Sequence, residues 1–281
     1  MGISQCRQRV QVLVGYHQPR CKLCLLSVLL VLIELEDTSN EVEFEQRVIF
    51  RVKYTYSIYN SMTSLTLVVG NKNYSSWSLR PWLAMKQMGL EFTEIRIPLY
   101  QAGSSAEVRR YSPTGKVPVL LHNEITVWDS LAILDYLIEQ FPALPWLPAA
   151  VKPRAIARSI SAEMHSSFAD LRQHMPMNIR IHAPCSEVIP SVQADINRIT
   201  TIWRECRETF GKDGDFLFGT FTIADAMYAP VVSRFMTYGV QLDSVCSTYA
   251  EAILAVSAMQ EWIADAKDET ETIESYTNPV D

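Results

Sequence analysis

From residue 62 to about residue 140, the pattern of apolar and polar positions predicts a small α/β domain. The run 65–69 is almost continuously apolar, as in a buried strand, whereas 92–97 alternates, as in a strand with one exposed face. Helical periodicity at 78–88 ends at Gly89, a residue that is common just beyond a helix C-terminus. The remaining predicted elements are a short helix at 104–110, a hairpin of strands at 119–121 and 125–128, and a helix at 131–140.

Beyond residue 140 the pattern is helical throughout. The segment 141–153 contains four prolines and is interpreted as a linker. Because strands come first and helices afterwards, we expect an α/β plus all-α fold, with one domain at 62–145 and a helical domain at 152–281. The predicted helices of the second domain lie at 154–174, 192–210, 223–238 and 250–266.

Residues 1–61 have a different pattern. Basic residues precede an apolar patch at 23–35, as in a signal sequence, but no small-residue cleavage site follows and an acidic stretch comes next. Cys21 and Cys24 have redox-motif spacing, yet they lack the preceding strand and following amphipathic helix of a thioredoxin-like dithiol. We therefore interpret 1–61 as a poorly ordered extension, or Met62 as the biological start, with a targeting or anchoring role as the alternative.

Composition narrows the class of partner. The formal net charge is −6 and no basic stripe is present, which argues against nucleic acid as a partner. Six cysteines in 281 residues are too sparse for a disulfide scaffold, so we expect a cytoplasmic location. No apolar run reaches transmembrane length, and we expect neither a membrane partner nor a metal site.

The segment 73–82 directly follows the first predicted strand and contains three serines. Ser75 and Ser78 stand three positions apart at a strand-to-helix junction, as the two cysteines do in a thioredoxin-type site. Serine is a favoured N-cap residue, so capping is one explanation. The alternative is a hydroxyl that donates a hydrogen bond to a ligand's thiolate. With the helix N-terminus, it would lower the pKa of that thiol from about 8.5.

Two other segments carry candidate chemistry. Pro118 opens a strand, and a cis bond after Val117 would turn the main-chain groups of Val117 toward an extended peptide-like ligand, whereas a trans edge proline would have no such role. Asp129 and Ser130 open a predicted helix, where they suit an N-cap and also suit the binding of a carboxylate. Each signal is weak when taken alone.

Taken together, these segments resemble the cytosolic glutathione S-transferase family, over residues 62 to about 265. The matching segments are 75–80, similar to Ser-Ser-Cys-Ser-x-Arg of the zeta class; 114–118, similar to the Gly-Lys-Val-Pro segment that contains the family's cis proline; 129–133, similar to its Glu/Gln/Asp-Ser-x-Ala-Ile helix start; and 221–225, similar to its Ser/Thr-x-x-Asp box. In that box Thr222 would cap a helix and Asp225 would return the hydrogen bond.

The resemblance implies a thioredoxin-like N-terminal domain that binds glutathione. Ser75 would be the hydroxyl that stabilises the glutathione thiolate, with Ser76 beside it. Lys116 would contact the glycine end of glutathione, and Val117, held by Pro118, would pair main chain to main chain with its cysteinyl unit. Glutathione would be a co-substrate, and the family implies a homodimer.

For the γ-glutamyl group and the second substrate, the resemblance implies further residues. Asp129 and Ser130 would hold the γ-glutamyl group, and Arg172 would line the second-substrate pocket near the position of a zeta-class glutamine, with a solvated arginine as the alternative. Phe168 is a further candidate for that pocket, with an ordinary core residue as the alternative. Ser78, at the predicted helix start, would keep a capping role.

Two departures from the zeta pattern bear on the reaction. Trp77 stands where the zeta motif has cysteine, which puts isomerisation of maleylacetoacetate in doubt. No cysteine occurs between residues 62 and 184, which disfavours thiol-transfer reactions that need a protein cysteine. We therefore expect an enzyme, a detoxifying transferase that conjugates glutathione to small electrophiles. The alternatives are a glutathione-dependent cis–trans isomerase and a non-catalytic glutathione-binding protein.

Overall fold

The computed structural model of the chain describes residues 64–185 and 187–276. These residues belong to one compact unit. The predictions made for 1–61, including the interpretation of Cys21 and Cys24, lie outside the described residues.

A four-stranded sheet with the order β2-β1-β3-β4 forms the centre of the first domain. Strand β1 is parallel to β2 and antiparallel to β3, and β4 is antiparallel to β3. The central position of β1 explains its apolar sequence, because Leu67, Val68 and Val69 are fully buried. The strands are β1 (Leu65–Val69), β2 (Thr93–Arg96), β3 (Val119–His122) and β4 (Ile125–Val127).

Helices flank the sheet and then form the whole of the second domain. In the described residues they are α1 (Ser76–Gln87), α2 (Ser104–Arg109), α3 (Ser130–Gln140), α4 (Val151–Ser166), α5 (Ala169–His174), α6 (Pro190–Phe210), α7 (Ile223–Tyr238), α8 (Ser244–Ala255), α9 (Ser257–Asp268) and a final 3-10 turn, Glu274–Tyr276. The predicted order of strands and helices is confirmed. The thioredoxin-like domain comes first and the helical domain second, while the exact boundaries at 145 and 152 stay predictions.

Two long predicted helices are each divided in two. The predicted helix 154–174 is interrupted because Phe168 adopts a left-handed backbone conformation, with φ of 62°. The predicted helix 250–266 is interrupted at Val256, whose ψ of 126° lies outside the helical region. Neither residue is a glycine or proline, so neither interruption had a local sequence signal.

Helix α7 is the central helix of the second domain. Of its residues, only Met236 is exposed, which agrees with a sequence that is apolar on all sides rather than on one face. Helix α1 of the first domain packs against it. The two domains therefore share one continuous core, which contains the buried Trp82, Trp203 and Trp262.

Candidate active site

The register of the sheet brings three distant segments to one edge. Val68 lies opposite Val119, so β1 ends where β3 begins. Leu120 lies opposite Val127, so β4 also ends there. Because antiparallel partners reverse direction, the Ser75 segment, the turn before β3 and the start of α3 all lie at this edge.

Ser75 occupies the N-cap position of α1 without using its side chain as a cap. Its hydroxyl donates a hydrogen bond to Oγ of Ser78 at 2.8 Å, and that Oγ also accepts the backbone N–H of Gly70 at 3.2 Å. Both serines are buried. The capping role expected for Ser78 is wrong, because the helix begins at Ser76 and Ser78 lies inside it, pointing back toward β1.

Ser76 points toward the helical domain. Its Oγ accepts a hydrogen bond from Nη2 of Arg234 on α7 at 3.1 Å. Arg234 also donates to the carbonyl oxygens of Met175 and Pro230. Burial, with repulsion from Arg172, lowers the pKa of the Arg234 guanidinium to about 10. The hydroxyl of Ser76 thus joins the two domains, whereas that of Ser75 remains within the first.

The turn before β3 contains a cis peptide bond between Val117 and Pro118. Pro118 is buried, Val117 is half-buried and the side chain of Lys116 is exposed. The backbone N–H of Lys116 donates to Oγ of Ser112 at 3.2 Å. The turn therefore presents Lys116 and Val117 at the surface of the shared edge. Their contacts with glutathione stay predictions.

Asp129 and Ser130 begin α3, as the sequence predicted. Oδ1 of Asp129 accepts the N–H of Leu131 at 3.2 Å, which is an N-cap hydrogen bond. Its Oδ2 lies 3.1 Å from Nε2 of His165 on α4. Ser130 is fully buried, and its Oγ has no hydrogen-bond partner among the described residues. A buried hydroxyl of this kind at a helix N-terminus is well suited to a carboxylate ligand.

Trp77 is surrounded by cationic and aromatic side chains. Cζ of Arg80 lies 4.1 Å and that of Arg172 5.4 Å from the centroid of the indole ring, and the His165 ring packs edge-on at 5.3 Å. Burial lowers the pKa of both guanidiniums, most strongly that of Arg80. The side chain that replaces the zeta-class cysteine thus partly offsets the cost of burying Arg80, through cation–π contact.

The two residues predicted for the second-substrate pocket lie close together in sequence but differ in exposure. Arg172 is half-buried, and its Nη1 donates to the carbonyl oxygen of Ser167. Phe168 is buried within the shared hydrophobic core. Their roles toward a second substrate stay predictions, and the contact with Trp77 makes Arg172 the stronger of the two.

Sequence reasoning missed His165 and Arg234. Both reach the site from the helical domain, at separations that no local pattern encodes. Arg234 offered one signal, because it is the only charged residue apart from Asp225 in a mostly apolar helix sequence. His165 offered none. The box at 221–225 was predicted correctly, since Oδ2 of Asp225 accepts the N–H of Thr222 at 2.8 Å.

Two kinds of feature are absent from the described ranges: a metal-binding cluster and a membrane-spanning helix. Residues 64–185 and 187–276 contain no group of three or more His, Cys, Asp or Glu side chains placed to hold a metal ion. Within the same ranges, every helix is too short or too polar to cross a membrane.

Comparison with known families gives two matches along the chain. Residues 74–140 match the family model of the glutathione S-transferase N-terminal domain, and residues 189–265 match that of the C-terminal domain. A maleylacetoacetate isomerase from Rattus norvegicus is 30% identical over 193 residues, which is 66% of this chain and 85% of the relative. The chain therefore belongs to the glutathione S-transferase family.

Other relatives match over a shorter length. Glutathione S-transferase 1 from Dianthus caryophyllus is 39% identical over 37% of this chain, and a zeta-class glutathione S-transferase from Euphorbia esula is 32% identical over 44% of it. The chain spans about half the length of these two relatives, 48% and 56%. A glutathione transferase homologue from Burkholderia, solved with bound glutathione, is 24% identical with a TM-score of 0.57 and covers 73% of this chain and all of its own. That similarity supports the fold.

Proposed function

We propose that the chain is a glutathione transferase in which Ser75 stabilises the thiolate of bound glutathione. The main support for the proposal is the position and burial of the Ser75 hydroxyl. It lies at the N-terminus of α1, is largely buried and is not used as a helix cap. A hydroxyl in that position, assisted by the positive end of the helix, favours the thiolate over the thiol.

The contact between Ser75 and Ser78 strengthens this role. In the structure Ser75 donates to Ser78, but hydroxyl protons rotate, so Ser78 would donate to Ser75 once Ser75 donates to a bound thiolate. In that arrangement the N–H of Gly70, the hydroxyl of Ser78 and the hydroxyl of Ser75 form a chain directed at the sulfur. Hydrogen bonds in such a chain polarise one another, which makes the last donor stronger.

Glutathione would lie along the shared edge of the sheet. Its cysteinyl main chain would pair with that of Val117 and its glycine end would approach Lys116. The carboxylate of the γ-glutamyl unit would accept a hydrogen bond from the hydroxyl of Ser130, and the ammonium group of the same unit would pair with Asp129. The buried hydroxyl of Ser130, which has no partner among the described residues, supports this placement.

The second substrate would meet the thiolate near Trp77. The thiolate attacks an electrophilic carbon and forms a carbon–sulfur bond, while the electron pair passes to the leaving group or to a conjugated acceptor. Positioning of the two reactants supplies much of the acceleration. The half-buried Arg172, beside Trp77, is the candidate to orient the electrophile.

A glutathione-dependent cis–trans isomerase is the second candidate. The relative in Rattus norvegicus named maleylacetoacetate isomerase supports it. In such a reaction the thiolate adds to a conjugated double bond and then leaves it. Trp77 in place of the zeta-class cysteine argues for the transferase instead. Product analysis separates the two, because an isomerase leaves the amount of glutathione unchanged.

The decisive experiment titrates glutathione bound to the protein and follows the ultraviolet absorbance of its thiolate. We expect Ser75→Ala to raise the pKa of the bound thiol by about one to two units, which corresponds to the loss of one hydrogen bond to a charged group. If only Ser76→Ala moves that pKa, the role belongs to Ser76. If calorimetry detects no glutathione binding by the unaltered chain, the transferase proposal fails.

Assembly and location are part of the proposal. The family commonly forms homodimers, and we propose the same for this chain. A cytoplasmic location agrees with the sparse cysteines, and Cys206 and Cys246 are both free and buried. Detoxification of small electrophiles would then be its role in the cell.

A further inference from the structure

The segment 70–74, which leads from β1 to Ser75, is held by the C-terminal part of the chain. Oε1 of Glu269 accepts the backbone N–H of Lys72 at 2.6 Å, and Oε2 accepts that of Asn73 at 3.0 Å. Glu269 is itself buried. Hydrogen bonds from backbone N–H groups to a carboxylate are charge-assisted and roughly twice as strong as neutral ones. One carboxylate therefore fixes two consecutive peptide groups just before Ser75.

Helix α9 binds two other groups of the same loop, the carbonyl oxygen and the side chain of Lys72. Nε1 of Trp262 donates to the carbonyl oxygen of Lys72 at 2.8 Å. Nζ of Lys72 pairs with Oδ2 of Asp265 at 2.6 Å and with Oε1 of Glu94 at 2.9 Å. The backbone N–H, the carbonyl and the side chain of Lys72 are thus all bound by residues distant in sequence.

Residues 269–276, which we call the C-terminal strap, continue along the loop to Tyr74. The hydroxyl of Tyr74 accepts the N–H of Ile273 at 3.3 Å and Nη2 of Arg180 at 3.0 Å. The ring of Tyr276 packs edge-on against that of Tyr74, with centroids 5.6 Å apart. The strap therefore contacts the loop from Lys72 to the residue immediately before Ser75.

Two arginines hold the strap in place. Arg96 on β2 donates from Nη1 to Glu269 at 3.2 Å and from Nη2 to Glu271 at 2.9 Å. Arg180 donates to the backbone carbonyl oxygens of Glu269 and Glu271. Glu269 thus combines a charge partner with two backbone donors. Glu271 shares the charge partner, but its carboxylate pairs with Arg96 rather than with the loop.

We propose that Glu269 is a positioning residue for the reaction: its carboxylate fixes Lys72 and Asn73 and so sets the position from which Ser75 meets the glutathione thiol. This inference rests on the proposed role of Ser75. Glu269, at the end of the helical domain, would thus influence the ionisation of a thiol bound in the first domain, through the loop before Ser75.

The test compares Glu269→Gln with Glu271→Gln in the full chain. Glutamine at 269 keeps one acceptor oxygen but places an amide group against the second backbone N–H. We expect the pKa of bound glutathione thiol to rise by about one unit in Glu269→Gln, which means up to about tenfold less thiolate at pH values below that pKa. Glu271→Gln should leave that pKa unchanged. Arg96→Gln, a milder variant that keeps the carboxylate, should shift it in the same direction by less.

Hydrogen exchange of the amides at 70–76, measured without glutathione, gives an independent reading. Exchange should accelerate several-fold in Glu269→Gln and stay as in the unaltered chain in Glu271→Gln. Equal exchange in the two variants, or an unchanged thiol pKa in Glu269→Gln, overturns the inference. If the unaltered chain binds no glutathione, the proposed function fails, and the exchange data alone still decide whether Glu269 fixes the loop.

Discussion

His165 and Asp129 join the two domains at the edge of the sheet, with Nε2 of the imidazole 3.1 Å from Oδ2 of the carboxylate. His165 lies on α4 of the helical domain, whereas Asp129 caps α3 of the thioredoxin-like domain. The carboxylate that we propose for the γ-glutamyl group is therefore oriented by a residue of the other domain.

His165→Leu tests this orientation. The contact is partly exposed, and exposed contacts between such polar side chains contribute about 0–1 kcal/mol, so the effect on binding should be modest. We expect KM for glutathione to rise about threefold to fivefold, with kcat nearly unchanged, because the thiolate partner is not touched. His182→Leu, at an exposed histidine, is the matched control and should leave both constants unchanged. A fall in kcat with KM constant would contradict the assignment.

Ser78→Ala tests the chain of hydroxyl groups. The variant removes the acceptor of the Ser75 hydroxyl and leaves the N–H of Gly70 without its acceptor, so the free energy of unfolding should fall by about 1–3 kcal/mol. The pKa of bound glutathione thiol should rise, but by less than in Ser75→Ala. In the double variant it should rise no further than in Ser75→Ala alone, because the two groups act as one chain. Additive shifts would show that they act separately.

Asp225 should make stability depend on pH in an unusual direction. Burial is the main cause that raises the pKa of this carboxyl from 3.8 to about 6. Between these values the folded chain holds a proton that the unfolded chain releases. The contribution of Asp225 to the free energy of unfolding therefore decreases as pH rises from about 4 to about 6, by up to about 3 kcal/mol, and is constant above that.

Urea unfolding of the unaltered chain and of Asp225→Asn, at a series of pH values, measures this contribution. Asparagine does not titrate, so the advantage of the unaltered chain over the variant should be larger at pH 4 than at pH 7. Asparagine also turns a donor toward the N–H of Thr222, which lowers the stability of the variant by the same amount at every pH. An advantage that grows with rising pH would contradict the raised pKa.

Trp77→Ala should destabilise the chain more than the half-burial of the side chain suggests. The indole ring lies over the buried guanidinium of Arg80, and loss of a desolvated cation–π contact costs about 2 kcal/mol in addition to lost packing. Trp77→Phe should recover part of the loss, because phenylalanine keeps a weaker ring face. Trp128→Ala, at an exposed tryptophan, serves as the control in the same urea titration and should change little.

Most of the fold could be predicted from the sequence, because the apolar and polar positions of most elements follow a clear local pattern. The bounds of β1 and α7 were predicted to the residue, since each is a compact apolar segment between clear boundaries. The interruptions at Phe168 and Val256 were not predicted. Tertiary packing rather than local propensity places these two residues outside the helical region. The segments at Ser75, Val117 and Asp129 were found by resemblance, and the sheet register then brought them to one edge.

Contacts between the domains could not be predicted in the same way. Ser78 was assigned a cap because serine near a helix start usually caps, and only the structure shows that it turns back toward Gly70. Glu269 and His165 act across long sequence separations, where one sequence alone offers no pattern. Of the helical domain's contribution to the site, the sequence indicated Arg172 and Phe168 but not the contacts made by His165, Arg234 and Glu269.

The contact of Ser76 with Arg234 has a consequence for how such chains can diverge. Helix α1 packs on α7, and a buried arginine of α7 reaches the residue beside Ser75. Replacing the helical half by that of a distant relative would remove Arg234 and leave the hydroxyl of Ser76 facing a surface that does not match it. Because we propose that the second substrate meets the thiolate near Trp77 and Arg172, we expect new substrate preferences to arise by substitutions around these residues rather than by recombination of whole halves.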